Sequence, residues 1–255
     1  RKMIPAVAPG NSMEDIVTAH FDYSMLDNAS SAVKVRLNST VTGVHHDGNP
    51  ESARTVHISY VQNDAAQQVT ARGVVLACNN SIIPYLCSEL PEIQKEALAT
   101  QVKQPIMMTN VALRNWHAWK KLGIGAVLSP GSYHIGAQLD YPVSIGDYAS
   151  TSGPDEPVIA TMFRYPHTNN QGLTAKEQYR RARHELLSTT FETIERNVRI
   201  QLVSMLGSAG FDPARGILGI TVNRWAHGYA YDMSSHALFD QVYEDTEDVR
   251  YPHMQ

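Results

Sequence analysis

The stretch from Thr174 to Leu206 constrains the fold more than any other part of the chain. Thr174 stands three residues before Glu177, and Thr189 three before Glu192, the spacing at which a hydroxyl and a carboxylate reciprocally cap a first helical turn. Two helices are therefore predicted. In the second, Phe191, Ile194, Val198, Leu202 and Met205 recur at three- and four-residue steps, while Glu195, Arg196 and Arg199 take the other side. Gly207 and Gly210 offer stops. An apolar stripe this continuous must be covered, and the rest of the sequence supplies strands to cover it.

Ile106 to Leu113 reads as a buried strand and Ile217 to Trp225 as another, with weaker signals at Ala126 to Leu128, Tyr133 to Leu139 and Val158 to Phe163. Upstream, Val33, Val35, Leu37, Val41 and Val44 alternate as one strand or a bent pair. Val56, Ile58 and Tyr60 follow at period two, between turn clusters at 46–50 and at Asn63-Asp64, so a small antiparallel meander is expected. A further strand candidate, Gln68 to Cys78, ends in the unbroken run Val74-Val75-Leu76-Ala77-Cys78, the pattern of burial on both faces. Ser12 and Asp15 open a short capped helix, and Pro91 precedes another whose apolar residues are Ile93, Ala97 and Leu98. The class is α+β.

The 255 residues suffice for one large domain or two small ones. Twenty-one basic and twenty-five acidic residues give a net charge of -4 with no basic stripe, which argues against a nucleic-acid partner. No run approaches the ~18 apolar residues of a membrane-spanning helix. No charged-then-apolar leader opens the chain, so neither a membrane span nor secretion is expected. Cys78 and Cys87 are too few for a four-cysteine zinc site or a disulfide framework. They read as reduced, buried small hydrophobes, consistent with the cytoplasm. His45-His46-Asp47 has ligand chemistry, but neighbouring residues on a strand point to opposite faces, so no metal site is expected.

Usual catalytic signatures are missing from these residues. There is no G-x-G-x-x-G, the nearest approach being Gly123-Ile124-Gly125, and no Walker loop, H-E-x-x-H or G-x-S-x-G. The remaining chemistry-bearing segment runs from Asn223 to Tyr231, where Trp225, His227, Tyr229 and Tyr231 surround Gly228 at a strand end. Aromatic walls beside a close-approaching backbone suit a flat cofactor and an apolar or cationic ligand, the alternative being an aromatic mini-core at a domain edge.

Four blocks, read in order, resemble flavin-dependent amine oxidoreductases, with the nearest likeness to bacterial spermidine dehydrogenase-like proteins. They are Arg36-Leu37-Asn38-Ser39-Thr40-Val41, Val74 to Asn80 with Ile83-Pro84-Tyr85-Leu86, Thr109 to Trp116, and Asn223 to Tyr231. The likeness spans about Ile4 to Tyr231. It implies an FAD-binding domain interrupted by a substrate domain of mixed or antiparallel sheet packed by helices. Residues 1–32 would lead into the substrate domain, 33–85 form part of the FAD-binding domain, 86–222 form the substrate-binding domain, and 223–255 return toward the FAD domain.

The same resemblance implies site roles. Val41 corresponds to the strand meeting the adenine end of FAD, and Ala77, Cys78 and Asn79 to the strand end beside the cofactor. Trp225, Gly228, Tyr229 and Tyr231 correspond to the block facing the isoalloxazine ring and the substrate. The implied activity is hydride transfer from an amine α-carbon to flavin N5, with an amine or polyamine as substrate. Asp22, Asp140 or Asp147 would hold a distal ammonium, or serve as ordinary surface or capping residues. No lysine stands in Met107-Met108-Thr109-Asn110, where many amine oxidases carry one, which leaves room for an acceptor other than oxygen. The family's N-terminal G-x-G-x-x-G and C-terminal glycine-rich flavin segment are not among these residues. The sequence thus reads as an internal fragment needing its missing N- and C-terminal segments. The alternative is a noncatalytic binding or assembly module of the same fold, without flavin.

Overall fold

The computed structural model describes residues 1–99, 102–140, 142–167 and 172–228, which fall into two compact units divided between 101 and 102. Both sheets are antiparallel, and the molecule is α+β. No helix of the described residues is long and apolar enough to cross a membrane.

In the first unit, a single-turn helix, α1 (Asp15–Thr18), precedes a three-stranded meander of β1 (Ser39–His46), β2 (Val56–Gln62) and β3 (Ala65–Ala71). The β2–β3 turn is built on Asn63 (φ +49°) and Asp64 (φ +61°), left-handed positions that these two side chains tolerate and that match strand twist. Helices α2 (Ile83–Leu86) and α3 (Glu92–Ala99) follow, the latter burying Ala97 and Leu98. His46, at the end of β1, binds Glu89 through its backbone N–H and through Nδ1, 2.6 Å from Oε2. That hydrogen bond holds the Glu89 carboxyl below its usual range.

The second unit contains β4 (Ile106–Leu113), α4 (His117–Leu122), β5 (Ala126–Leu128), β6 (Gly136–Leu139), β7 (Val158–Arg164), α5 (Ala175–Ser188), α6 (Phe191–Leu206), α7 (Pro213–Gly216) and β8 (Ile217–Trp225). The strand order is β5-β6-β7-β4-β8. On α6, Ile194, Val198, Leu202 and Leu206 are at most 1% exposed and pack with Met107, Val111 and Leu113 of β4, Ala160 and Met162 of β7, and Trp119 of α4. Burial of each such aliphatic side chain stabilises by about 1.5–3 kcal/mol, so this stripe fixes helix against sheet.

Several elements differ from expectation. Thr174 and Glu177 do form the capping box of α5, but α6 is capped by Thr190, whose hydroxyl accepts the Thr193 N–H. Thr189 instead closes α5, its hydroxyl donating to the Glu185 carbonyl at 2.7 Å. Phe191 is largely exposed, because the helix starts there and its stripe begins a turn later. The alternating residues Val33, Val35 and Leu37 are not strand. Val35 N–H bonds the Leu26 carbonyl, and Asn38 turns the chain at φ +52° just before β1. The strand from Gln68 ends at Ala71, and Val74 to Cys78 joins no ladder among the described residues, leaving Val75 90% exposed. A run buried on both faces needs neighbours on both sides, and the described residues provide none.

The cysteines also differ from expectation, Cys78 because it ends that unpaired run and Cys87 because it closes α2. Both are free, but Cys78 is exposed and Cys87 is half-buried. The Cys87 thiol is pushed up by burial, then by Cys78 and Glu89. Alkylation by iodoacetamide at pH 8, followed by peptide mass spectrometry, is expected to modify Cys78 roughly tenfold faster than Cys87. Equal rates would contradict this exposure pattern.

Candidate functional site

Alternation along β4 turns Met107, Thr109, Val111 and Leu113 toward the helices, and Ile106, Met108, Asn110 and Ala112 to the second face of the sheet. Across the ladders on that second face, Asn110 pairs with Thr161 and Thr221, Met108 with Phe163 and Asn223, and Ile106 with Trp225. Trp225 is 45% exposed there, beside a row of half-buried apolar and amide side chains. This is an aromatic wall at a strand end.

The chain on both sides of Trp225 is clamped. Gly228 N–H donates to the Gln104 carbonyl at 2.9 Å, Arg183 Nε to the Ala226 carbonyl at 3.2 Å, and Arg224 Nη1 to the Thr189 carbonyl at 3.1 Å. A Cβ on Gly228 would collide with Ile106, so the close approach requires glycine. Gly228→Ala is expected to cost about 1–3 kcal/mol in urea unfolding, the range for overpacking. Part of that loss should return when Ile106→Ala is added, and a neutral single variant would refute the clamp. His227 is held below its usual range first by partial burial and then by Arg183 and Lys103, so the neutral imidazole is favoured at pH 7.

Val41, Ala77, Cys78 and Asn79 lie on the first unit, whereas Trp225 and Gly228 lie on the second. Val41 sits on β1 opposite Tyr60, 40% exposed, next to a register shift before Gly43. Ala77 and Cys78 are exposed, and Asn79 Oδ1 accepts both the N–H (3.0 Å) and the hydroxyl (2.9 Å) of Ser81, starting the turn into α2. Tyr229 and Tyr231 lie outside the described residues. Asp22 accepts from Ser24 as a helix cap, and Asp147 is exposed in the β6–β7 connection. Asp140 follows β6, its Oδ1 2.8 Å from the Thr161 hydroxyl.

His46 and Asp47 of the histidine-rich segment are engaged by Glu89 and by Thr55 and His57, respectively. Gly123 (φ +69°) is the left-handed cap ending α4, so Gly123-Ile124-Gly125 is a helix stop.

A polar cluster not anticipated from sequence lies inside the second unit. His134, fully buried, donates its backbone N–H to Gln201 Oε1 at 3.0 Å and receives Gln201 Nε2 on its carbonyl at 2.7 Å. Its ring meets Gln201 Oε1 through Nδ1 (3.3 Å) and the Thr109 hydroxyl through Nε2 (3.2 Å). Burial lowers the imidazole to about 4. A neutral ring with Nδ1–H donating and Nε2 accepting satisfies every partner, so the cluster pins the loop before β6 to α6 and β4.

No protein-family model matches the chain, and no curated protein matches it. Among solved structures, a triple mutant of putrescine oxidase from a redesign of cofactor binding superposes with a TM-score of 0.52 at 13% identity, covering 84% of this chain and 41% of that one. A double mutant of the same enzyme gives 0.50 at 13% identity, covering 84% and 40%. The fold is part of an amine oxidase fold. Cyclohexylamine oxidase from Brevibacterium oxydans IH-35A also matches, at a TM-score of 0.46 and 16% identity, with 74% and 34% coverage. The chain spans about two fifths of the putrescine oxidase chains, and identities this low speak for the fold alone.

Proposed function

We propose that this chain is part of an FAD-dependent amine dehydrogenase or oxidase, whose substrate is a primary amine or polyamine and whose complete form is longer. The carrying observation is Trp225, exposed on the second face of an amine-oxidase-like sheet and followed by a clamped turn in which only glycine fits. Residues of the first unit suit a flavin nucleotide. Val41, Ala77 and Cys78 are exposed and apolar, and the backbone from Val74 to Cys78 keeps its hydrogen-bonding groups outside any ladder of the described residues. Bound FAD supplies a hydride acceptor at N5 for the carbon beside the amine nitrogen.

In this reading Val41 backs the adenine end, while Ala77, Cys78 and Asn79 pass beside the cofactor. Trp225, Gly228, Tyr229 and Tyr231 face the ring and the substrate. The work of these residues is to orient the C–H bond and exclude water, and it is the loss of water that disfavours the ammonium form and leaves the uncharged amine to react. Met107-Met108-Thr109-Asn110 carries no lysine, which leaves both oxygen and another acceptor open to the reduced flavin.

A second reading, a noncatalytic binding or assembly module without flavin, is favoured by one feature: these residues contain no pyrophosphate loop. Visible absorbance and intact mass of the protein purified from its source separate the two. The first reading expects a flavin band in a species heavier than 28.2 kDa. A colourless single species of 28.2 kDa would hand the assignment to the second.

A further inference from the structure

The net charge of -4 conceals a local excess of the opposite sign. On α5, Lys176, Arg180 and Arg183 stand at i, i+4 and i+7, so all three lie on one face of the helix. Arg183 ends that row against the turn after β8, where its Nε donates to the Ala226 carbonyl at 3.2 Å. The same turn is tied to the segment before β4, Gly228 N–H meeting the Gln104 carbonyl at 2.9 Å, and this brings Lys103 near His227. Four permanent cations and an imidazole thus form one patch from three parts of the second unit.

None of Lys103, Lys176, Arg180 and Arg183 has an ion-pair partner among the described residues. The two carboxylates of α5 are committed elsewhere. Glu177 accepts the Thr174 N–H and hydroxyl, both at 2.9 Å, in the capping box, and Glu185 pairs with Arg164 at 2.6 Å. The cations act on one another instead. Lys176 and Arg183 are pushed down first by partial burial and then by Arg180, and His227 by partial burial, Arg183 and Lys103. Like charges at i, i+4 and a lysine in the first turn both work against a helix, so the arrangement costs α5 stability. The Nε bond also fixes the Arg183 guanidinium, whose two terminal nitrogens meet no acceptor among the described residues.

An unpaired cation cluster with one guanidinium already oriented favours an anion. A single carboxylate would offset only part of the charge, whereas a phosphate-type oxyanion carries more charge and the paired oxygens that an arginine fork meets. Seven residues of helix span only about 10 Å, a row too short for the many phosphate contacts of a nucleic-acid backbone and long enough for two linked phosphates. We propose that the Lys176, Arg180 and Arg183 face, with Lys103 and the turn at 226–228, binds the phosphate groups of a small soluble molecule. The site lies within the second unit, goes beyond the flavin reading and does not depend on it.

The test titrates the full 255-residue chain with metal-free sodium pyrophosphate, and with sodium acetate at equal ionic strength, following the Arg183 Nε–H and the His227 ring by NMR. Pyrophosphate is expected to shift both signals with submillimolar affinity, and acetate to bind about tenfold more weakly or not at all. The double variant Lys176→Gln, Arg180→Gln keeps the Arg183 clamp and, with unchanged spectral dispersion, should weaken pyrophosphate about tenfold. Arg215→Gln on α7, a side chain 90% exposed, should leave the titration as it is. Equal binding of acetate, a double variant as tight as the parent, or the same loss in Arg215→Gln would each overturn the proposal. Vesicles of phosphatidylcholine and phosphatidic acid separate a lipid surface from a soluble ligand. Sedimentation of the protein with them that pyrophosphate does not reverse would likewise overturn it. Since none of these readings involves turnover or bound flavin, failure here is separable from failure of the flavin assignment.

Discussion

Replacing Trp225 with alanine in the flavin-loaded, full-length protein is expected to lower kcat for a saturating amine by about 10- to 100-fold, the scale on which mispositioning a reacting bond acts. The size of the effect follows from placement. Trp225 lies on the second face of the sheet, 45% exposed, opposite Ile106 and beyond the packed core, so its removal leaves no internal void. Thermal stability should therefore change little while turnover collapses. Neighbouring side chains are not expected to compensate, because the adjacent positions on that face, Asn223 and Met108, are not aromatic. Steady-state kinetics together with a melting curve decide the matter. Unchanged kcat would remove Trp225 from the active site, and a parallel loss of kcat and stability would make it a packing residue.

The second large effect is on stability against pH. His134 has a folded-state value near 4, against 6.5 for an ordinary imidazole, because the ring is buried where a charge cannot be solvated. Below pH 6.5 the unfolded chain takes up a proton that the folded chain refuses until about pH 4. The stabilisation is therefore complete above 6.5 and is lost as pH falls toward 4, amounting to about 3 kcal/mol by linkage. His227, also held low, contributes in the same sense. Asp15, Asp47, Glu89, Glu156, Glu177 and Glu192 are held below their usual values, so their contributions vanish only at lower pH, as each is protonated through its depressed folded value.

Urea unfolding between pH 7 and pH 4.5 should show this slope in the parent protein and a much flatter one in His134→Gln. Should that variant not fold, an NMR titration of the His134 ring in the parent protein still answers the question. A midpoint above 6 would show that the ring is not buried as described.

Legibility in the sequence followed the range of the forces involved. The two long helices, the meander and all five strands of the larger sheet were readable because each rests on local periodicity and on turn residues such as Asn63, Asp64 and Gly210. The α6 cap was misplaced by one residue because Thr189 and Thr190 are adjacent hydroxyls, and only the geometry of two abutting helices assigns one to each. Gln201 left a visible trace, a polar residue three positions after Val198 and next to Leu202 on the buried stripe, and Thr109 left another between Met107 and Val111. Neither trace identified His134, which lies 25 residues from Thr109 and 67 from Gln201.

The sequence by itself determined the α+β class, the two long helices and the order of the strands along the chain, since helix and strand periods, caps and turn chemistry act over a few residues. The short helices α2, α4 and α7 carry too few turns to leave a period. Tertiary structure decided the rest. It left Val74 to Cys78 outside the sheets of the described residues, and it set Trp225 opposite Ile106. It also brought the Thr161 hydroxyl of β7 between Asn110 of β4 and Asp140 after β6. Burial and pairing depend on partners far away in the chain, and no local pattern encodes which partner arrives.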